Sequence, residues 1–140
     1  MGDLIFKEES YAIVGACLAV YREMGCGFLE SVYQECLEIE LTDREIPFVA
    51  QSALHLAYRG RPLNQRLQPD LICHGAIIVE VKAVSRIADE HRAQVLNYLH
   101  GAGLCLGLLV NFGHHPGLDW ERLVLSSAKR GEGRAKEVSV

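Results

Sequence analysis

The residues of this sequence best suited to chemistry are two carboxylates and a lysine near its middle, Asp70, Glu80 and Lys82. They flank residues 71–79, where two short apolar segments around a His-Gly turn predict a pair of strands. Because strand side chains alternate between faces, Glu80 and Lys82 project to one side of the strand and Val81 to the other. Charges at the end of an apolar strand are costly to bury, and a divalent metal bound by Asp70 and Glu80 would offset that cost.

The sequence alone leaves two interpretations of this charged pair open. In the first, a metal occupies the carboxylates and Lys82 holds a water molecule or a phosphate oxygen. In the second, Glu80 and Lys82 form an ordinary salt bridge at a strand end, since such pairs are common on exposed strands.

A third carboxylate, Glu30, lies in the first turn of a predicted helix. It falls beside the apolar stripe of that helix and could therefore point inward, toward the edge of the sheet. Acidic residues are also common at helix starts, where they stabilise the helix dipole, and this simpler role stays open.

Gln94 and Tyr98 are four residues apart on another predicted helix and therefore share one of its faces. This helix follows Lys82 after a short loop, so the shared face can lie next to the charged residues. An amide and a phenol in that position suit contacts with water, phosphate or a base. They equally suit a polar pair that is hydrogen-bonded within the interface between helix and sheet.

The composition is that of one globular domain. The chain has 140 residues, 49% of them hydrophobic, which is enough to build a core. We expect a folded domain over residues 1–126 and a disordered tail over 127–140, which is charged and poor in apolar residues. We expect neither a membrane span nor a signal peptide. The five scattered cysteines lack zinc-ligand spacing and are typical of core residues in a reducing compartment, the cytoplasm.

The net charge of the chain is −4, and its charged residues are distributed unevenly along the sequence. Residues 1–45 carry ten acidic side chains and three basic ones, whereas residues 59–92 carry six basic and four acidic ones. Positive charge is therefore concentrated beside the candidate site, and again in the tail after Ala128, where a polyanion would approach.

The spacing of apolar residues predicts alternating helices and strands. Helices are expected at 8–24, 29–44 and 89–100, and strands within 48–67 and at 71–73, 76–82, 104–112 and 118–125. The nearly continuous apolar segment 104–112 indicates a strand that is covered on both faces, in the core rather than at an interface. This order predicts an α/β fold with a mixed central β-sheet flanked by helices on both sides.

Three local details of these elements are also predicted. Leu29 belongs to the buried stripe of the second helix. Gly101 and Gly103 end the third helix. Residues 59–62 form the turn between the two strands of the 48–67 region.

Four of the features above occur together in the order of a known family. They are a helix glutamate, a Pro-Asp at a strand start, a Glu-x-Lys at the end of the next strand and a Gln-x-x-x-Tyr on the following helix. In this combination the chain resembles the PD-(D/E)XK nuclease superfamily. Within it, the sequence is similar to the small group named for a Gly-x-x-Glu-x-x-Tyr signature, here Gly27, Glu30 and Tyr33. The similarity runs from about Tyr11 to Leu125.

This resemblance implies a restriction-endonuclease-like core with a metal site. Asp70 and Glu80 would bind Mg²⁺ or Mn²⁺, assisted by the backbone carbonyl of Val81 and by Glu30. Hard oxygen ligands of this kind suit Mg²⁺ or Mn²⁺ better than softer metals.

The resemblance also implies roles for the lysine and for the helix pair. Lys82 would orient the attacking water or help to deprotonate it, and its place beside two carboxylates favours positioning and charge stabilisation over action as a free base. Gln94 and Tyr98 match the helix motif of RecB-like members, where it supports the site and contacts nucleic acid.

The leading hypothesis is therefore a metal-dependent nuclease that acts on nucleic acid, and DNA is the expected substrate. The oligomeric state, monomer or homodimer, stays open. An alternative is a non-catalytic binding or assembly domain with the same fold, whose acidic residues 1–45 could recruit a basic partner. Hydrolysis of a small phosphate ester by the same residues is a third option.

Overall fold

A five-stranded mixed sheet forms the centre of the structure, a computed structural model that describes residues 5–126. The predicted tail, residues 127–140, lies outside the described residues. The helices are α1 (Lys7–Met24), α2 (Glu30–Asp43) and α3 (Asp89–Ala102). The strands are β1 (Phe48–Ala50), β2 (Leu54–Tyr58), β3 (Arg61–Leu67), β4 (Leu71–Cys73), β5 (Ile77–Lys82), β6 (Leu106–Asn111) and β7 (Asp119–Val124).

The strands of the central sheet run in the order β1-β4-β5-β6-β7. Strands β5 and β6 are parallel and every other neighbouring pair is antiparallel, which confirms the predicted mixed sheet. Parallel strands need a crossover connection, and α3 provides it between β5 and β6. Strands β2 and β3 form a separate two-stranded hairpin and pair with no other strand within residues 5–126.

Helices cover both faces of the central sheet, as predicted. On one face, α1 and α2 pack against the side chains of Val79 and Val81, and on the other, α3 packs against Ile78 and Leu109. Strand β6 is buried along its whole length, which confirms that this apolar segment belongs to the core. The alternation in β5 places Glu80 on the α3 face, beside Ile78.

The turn between β4 and β5 determines which residues face each other across these two strands. His74 and Gly75 both have positive φ, 56° and 64°, and together with Ala76 they form a three-residue connection that pairs Cys73 with Ile77. The resulting register pairs Leu71 with Val79. Continued by one residue, this register places Asp70 opposite Glu80.

The prediction that Gly101 ends the third helix was wrong. Helix α3 continues through Gly101 to Ala102, and Gly103 ends it with a φ of 70°. A β-carbon on Gly101 would lie 3.0 Å from the side chain of Leu67 and 3.3 Å from that of Leu56. Gly101 is therefore accounted for by close packing against the β2–β3 hairpin rather than by helix termination.

Two other local predictions also needed correction. Leu29 is 74% exposed, because it precedes α2 as the residue at its N-cap and does not reach the buried stripe. The turn predicted at 59–62 is shorter, since Arg61 and Pro62 already belong to β3. Arg59 and Gly60, with φ of 49° and 79°, form the turn itself.

The cysteines are free thiols, two of which, Cys17 and Cys73, are buried. Burial raises the pKa of Cys73 to about 12, and it also raises the pKa of Cys17. Both thiols therefore stay protonated and act as small apolar core residues. Within residues 5–126, no helix has the length and apolar character needed to cross a membrane.

Candidate active site

Asp70 and Glu80 face each other at the ends of β4 and β5 and are tied together through the backbone. The N–H of Asp70 donates to Oε1 of Glu80 at 2.6 Å, and the N–H of Val81 donates to Oδ2 of Asp70 at 2.8 Å. Glu80 is only 3% exposed. Two carboxylates are thus held side by side at the edge of the core.

This proximity changes the acidity of both groups. Burial raises the pKa of Glu80 to about 8, and the neighbouring charge of Asp70 adds to the increase. Burial also raises the pKa of Asp70, while the hydrogen bond from Val81 acts in the opposite direction. A buried carboxylate beside a half-buried one is unfavourable when both are ionised, unless a proton or a cation lies between them.

Lys82, Gln94 and Tyr98 form a hydrogen-bonded chain from β5 to α3. Nζ of Lys82 donates to Oε1 of Gln94 at 2.8 Å, and Nε2 of Gln94 donates to the hydroxyl of Tyr98 at 3.1 Å. Within residues 5–126, Glu80 and Lys82 form no ion pair, so the ordinary salt bridge that the sequence left open is not observed. The amide instead holds the ammonium group beside the carboxylates.

Tyr98 belongs to the same electrostatic environment. Burial raises the pKa of its phenol, and the charges of Glu80 and Asp70 raise it further. Gln94 and Tyr98 are therefore bonded within the helix–sheet interface and at the same time lie beside the candidate site.

Glu30 approaches the site from the opposite helix layer. It is the first residue of α2, and its Oε2 accepts a hydrogen bond from the N–H of Ala83 at 3.3 Å. Its charge contributes to the raised pKa values of both Asp70 and Glu80. The structure therefore brings Glu30, Asp70 and Glu80 to the same end of β5.

Tyr33 determines the shape of the loop that precedes Glu30. The Tyr33 ring is buried and stacks on Phe112 with ring centres 4.7 Å apart. Its hydroxyl donates to the carbonyl of Gly25 at 2.5 Å and accepts from the N–H of Phe28 at 3.2 Å. The tyrosine thus connects the core to the loop from which α2 starts.

Replacing Tyr33 by phenylalanine should lower the free energy of unfolding by roughly 1–3 kcal/mol, because the bonds to Gly25 and Phe28 are lost while the ring stack is kept. Urea denaturation monitored by circular dichroism measures this change. Tyr11→Phe is the matched control, since Tyr11 is 61% exposed. Equal stability of the two variants would contradict a structural role for the Tyr33 hydroxyl.

Two glutamines near Asp70 were not identified from the sequence. Nε2 of Gln34 donates to Oε2 of Glu38 at 2.9 Å and to the carbonyl of Asp70 at 3.2 Å. Its buried Oε1 has no hydrogen-bond partner in the part of the chain that the structure describes. The N–H of Gln51 donates to the carbonyl of Asp70 at 3.0 Å, and the Gln51 side chain acts to lower the pKa of the Asp70 carboxyl group. Gln34 follows Glu30 by four residues, a spacing that could have revealed it. Gln51 carried no comparable signal.

A cavity of about 330 Å³ lies beside Asp70, on the side of Glu30 and the two glutamines. Its walls are formed by Glu30, Ser31, Gln34, Gln51, Asp70 and Val81. Several of these residues carry side-chain oxygen atoms, and Oε1 of Gln34 is buried without a hydrogen-bond partner among residues 5–126.

The donor set of this site fits a hard divalent cation, although the side chains are not arranged around one. No group of three or more His, Cys, Asp or Glu side chains within residues 5–126 has a metal-holding arrangement. The reason is visible in the hydrogen bonds, since Glu30, Asp70 and Glu80 each accept one from a backbone N–H. The carboxylates nevertheless repel one another, and that repulsion is what a bound cation would relieve.

Comparison with known proteins adds a family and a fold. The sequence profile of the PD-(D/E)XK nuclease superfamily matches residues 7–123. The crystal structure of SSO0001 is similar, with a TM-score of 0.56 and 17% sequence identity over 91% of this chain. This chain spans 62% of the length of SSO0001, and at this identity the likeness concerns the fold alone. No curated protein matches the sequence at a significant level.

Proposed function

This chain belongs to the PD-(D/E)XK nuclease superfamily, and we propose that it is a metal-dependent nuclease that hydrolyses phosphodiester bonds in DNA. The observation that carries the proposal is the meeting of Asp70, Glu80 and Lys82 at one end of β5, where α3 holds the lysine beside the two acids. Paired carboxylates with a neighbouring ammonium suit a reaction in which negative charge develops on phosphate oxygens.

In this proposal Asp70 and Glu80 hold Mg²⁺ or Mn²⁺, assisted by the carbonyl of Val81 and by Glu30. When bound, such an ion neutralises charge on the phosphate and makes a water molecule more acidic. Gln34 is a further candidate for contact with the hydration shell of the ion, because it lines the cavity beside Asp70 and Glu30 and its Oε1 has no partner within residues 5–126.

The proposed role of Lys82 is to position the attacking water and to stabilise charge on the scissile phosphate. Nζ of Lys82 donates to Oε1 of Gln94 at 2.8 Å, and Nε2 of Gln94 donates to the hydroxyl of Tyr98 at 3.1 Å. The direction of the lysine side chain is therefore determined before substrate arrives. Such preorganisation is what makes a charged group effective in the transition state.

A cleavage assay tests the proposal. We expect the full chain to cut linear, nicked or single-stranded DNA with Mn²⁺ or Mg²⁺ and not with EDTA. Asp70→Asn should reduce the rate by at least about 10²-fold, because one anionic ligand is lost while an oxygen remains to accept from Val81. Asp43→Asn, at an exposed position near the end of α2, is the matched control. Absence of metal-dependent cleavage on all three substrates would overturn the proposal.

The second candidate is a non-catalytic domain with the nuclease fold, and one observation favours it. The carboxylates of the site are bonded to backbone N–H groups, and no three acidic, histidine or cysteine side chains in residues 5–126 are arranged around a metal. Titration calorimetry with Mn²⁺ separates the two candidates. Binding that Asp70→Asn abolishes supports the nuclease, and no measurable metal uptake supports the non-catalytic domain.

Finer assignments are proposed on the same basis. Gly27, Glu30 and Tyr33 support membership of the Gly-x-x-Glu-x-x-Tyr group within the superfamily. The unpaired cysteines support a reducing compartment such as the cytoplasm. A homodimer would provide one site for each strand of a duplex, and sedimentation measures whether it forms.

A further inference from the structure

The β2–β3 hairpin differs from the rest of the protein in its charge. Residues 54–67 contain three arginines, Arg59, Arg61 and Arg66, and no acidic residue. The chain as a whole carries a net charge of −4. This element is therefore a basic segment on an acidic protein, and a polyanion is the complementary partner.

The hairpin is exposed on both faces over most of its length. Residues 61–66 of β3 are all exposed, although alternate residues of a strand that lies on a protein body would be buried. The exposure includes apolar and aromatic groups, since Tyr58 is 59% and Leu63 40% exposed. The base is packed, where Leu56 and Leu67 lie against α3 at Gly101.

Both ends of the hairpin are attached at the candidate active site. Before β2, the N–H of Gln51 donates to the carbonyl of Asp70 at 3.0 Å. After β3, Nε2 of Gln68 donates to the carbonyl of Gln51 at 2.7 Å. The two chain segments that enter and leave the hairpin are thus joined to each other and to Asp70.

We propose that the β2–β3 hairpin is an arm that binds duplex DNA by entering its major groove beside the site of cleavage. The inference rests on the proposed function, since it assigns the partner that the nuclease site would act on. A major groove about 12 Å wide admits a two-stranded β-ribbon. The six or so residues from base to tip reach about 20 Å at about 3.3 Å per residue.

The residues at the tip have the chemistry that this contact needs. The guanidinium of Arg59 lies over the ring of Tyr58, 5.2 Å from its centre, so the two side chains form one exposed cationic surface. Arg61 pairs with Tyr58 across the turn and adds a second guanidinium on the same face. Such groups bind phosphates and guanine edges. The deep, narrow major groove of RNA duplexes does not admit the ribbon, which selects DNA.

Fluorescence anisotropy with a labelled DNA duplex of about two helical turns tests the arm apart from cleavage, because binding is measured in EDTA. The double variant Arg59→Gln, Arg61→Gln should bind at least about tenfold more weakly than wild type. For this variant, the slope of log affinity against log salt concentration should be less steep by roughly two units, one for each lost phosphate contact. The matched control is Lys7→Gln, Arg22→Gln, which removes equal charge from exposed positions of α1 and should change the affinity less than about twofold.

The outcomes distinguish this inference from the proposed function. A duplex affinity that depends on the hairpin arginines supports the arm, whether or not the protein cleaves DNA. Cleavage by wild type combined with equal binding by the hairpin and control variants overturns the arm and leaves the nuclease standing. The arm is also overturned if wild type fails to bind the duplex, or if the hairpin variant loses more affinity for single-stranded DNA or duplex RNA than for duplex DNA.

Discussion

Replacing Lys82 by alanine should lower the rate of DNA cleavage by roughly 10²–10³-fold, with little change in DNA affinity. The ammonium is held by Gln94 on the α3 face, next to Glu80, where charge would develop on the phosphate during the reaction. A group that acts on that charge stabilises the transition state more than the bound substrate. Loss of the ammonium should therefore lower the cleavage rate at saturating protein concentration and leave the DNA affinity nearly unchanged.

Single-turnover cleavage measures this effect, and two further variants define it. Gln94→Ala removes the acceptor that directs the lysine but leaves the ammonium in place, so we expect a smaller loss of roughly tenfold. Lys7→Ala removes an equal charge from the exposed start of α1 and should cleave as wild type does. A Lys82→Ala protein that cleaves at the wild-type rate would exclude the lysine from the reaction.

Replacing Glu80 by glutamine should stabilise the metal-free protein at alkaline pH while it abolishes cleavage. The pKa of Glu80 rises from an ordinary value of 4.5 to about 8 in the folded protein. Between these two values the folded state binds a proton that the unfolded state has released. The free energy of unfolding of the wild type therefore falls as the pH rises through this window, and levels off above about 8.

Glutamine avoids this loss because it does not ionise. Its Oε1 still accepts the hydrogen bond from Asp70, so the packing of the site is kept. The difference in melting temperature between Glu80→Gln and wild type should be small near pH 4.5 and reach roughly 5 °C or more above pH 8. The same substitution removes one anionic metal ligand, so Mn²⁺ should raise the melting temperature of wild type more than that of the variant.

Thermal denaturation in EDTA at the two ends of this pH range measures the effect. Glu35→Gln, on the exposed face of α2, is the matched control and should behave as wild type at both pH values. If Glu80→Gln raised the melting temperature by the same amount at acid and alkaline pH, Glu80 would titrate as an ordinary carboxylate. A stable but inactive variant would be an instance of an active site that is maintained at the expense of stability.

Much of the fold could be predicted because its signals are local. The apolar spacing of Ile13, Val14 and Cys17 indicated α1, and all three are buried. The uninterrupted apolar segment around Leu108 indicated a strand covered on both faces, and β6 is buried throughout. Periodicity of this kind depends only on neighbours along the chain, so it is present in the sequence before any tertiary contact forms.

The failures concern residues whose environment comes from distant parts of the chain. Gly101 was assigned as a helix terminator because glycine commonly ends helices, whereas the close approach of Leu56 and Leu67 accounts for it. Leu29 matched the helical spacing of α2, but the helix begins one residue later and leaves it exposed. Gln51, whose backbone N–H donates to the carbonyl of Asp70, lies 19 positions away along the chain and belonged to no recognisable motif.

The sequence by itself placed Asp70 and Glu80 at the same end of two short strands joined at His74-Gly75. The register was decided by the structure, because a two-residue turn would have shifted it by one residue, whereas the observed three-residue connection pairs Cys73 with Ile77 and sets Asp70 opposite Glu80. The tertiary structure decided what surrounds them. Only packing across the sheet brings Glu30 from α2 and Gln94 from α3 to the same end of β5. The raised pKa of Glu80 was likewise invisible in the sequence, since desolvation and the repulsion between carboxylates arise only when distant segments exclude water from a common space.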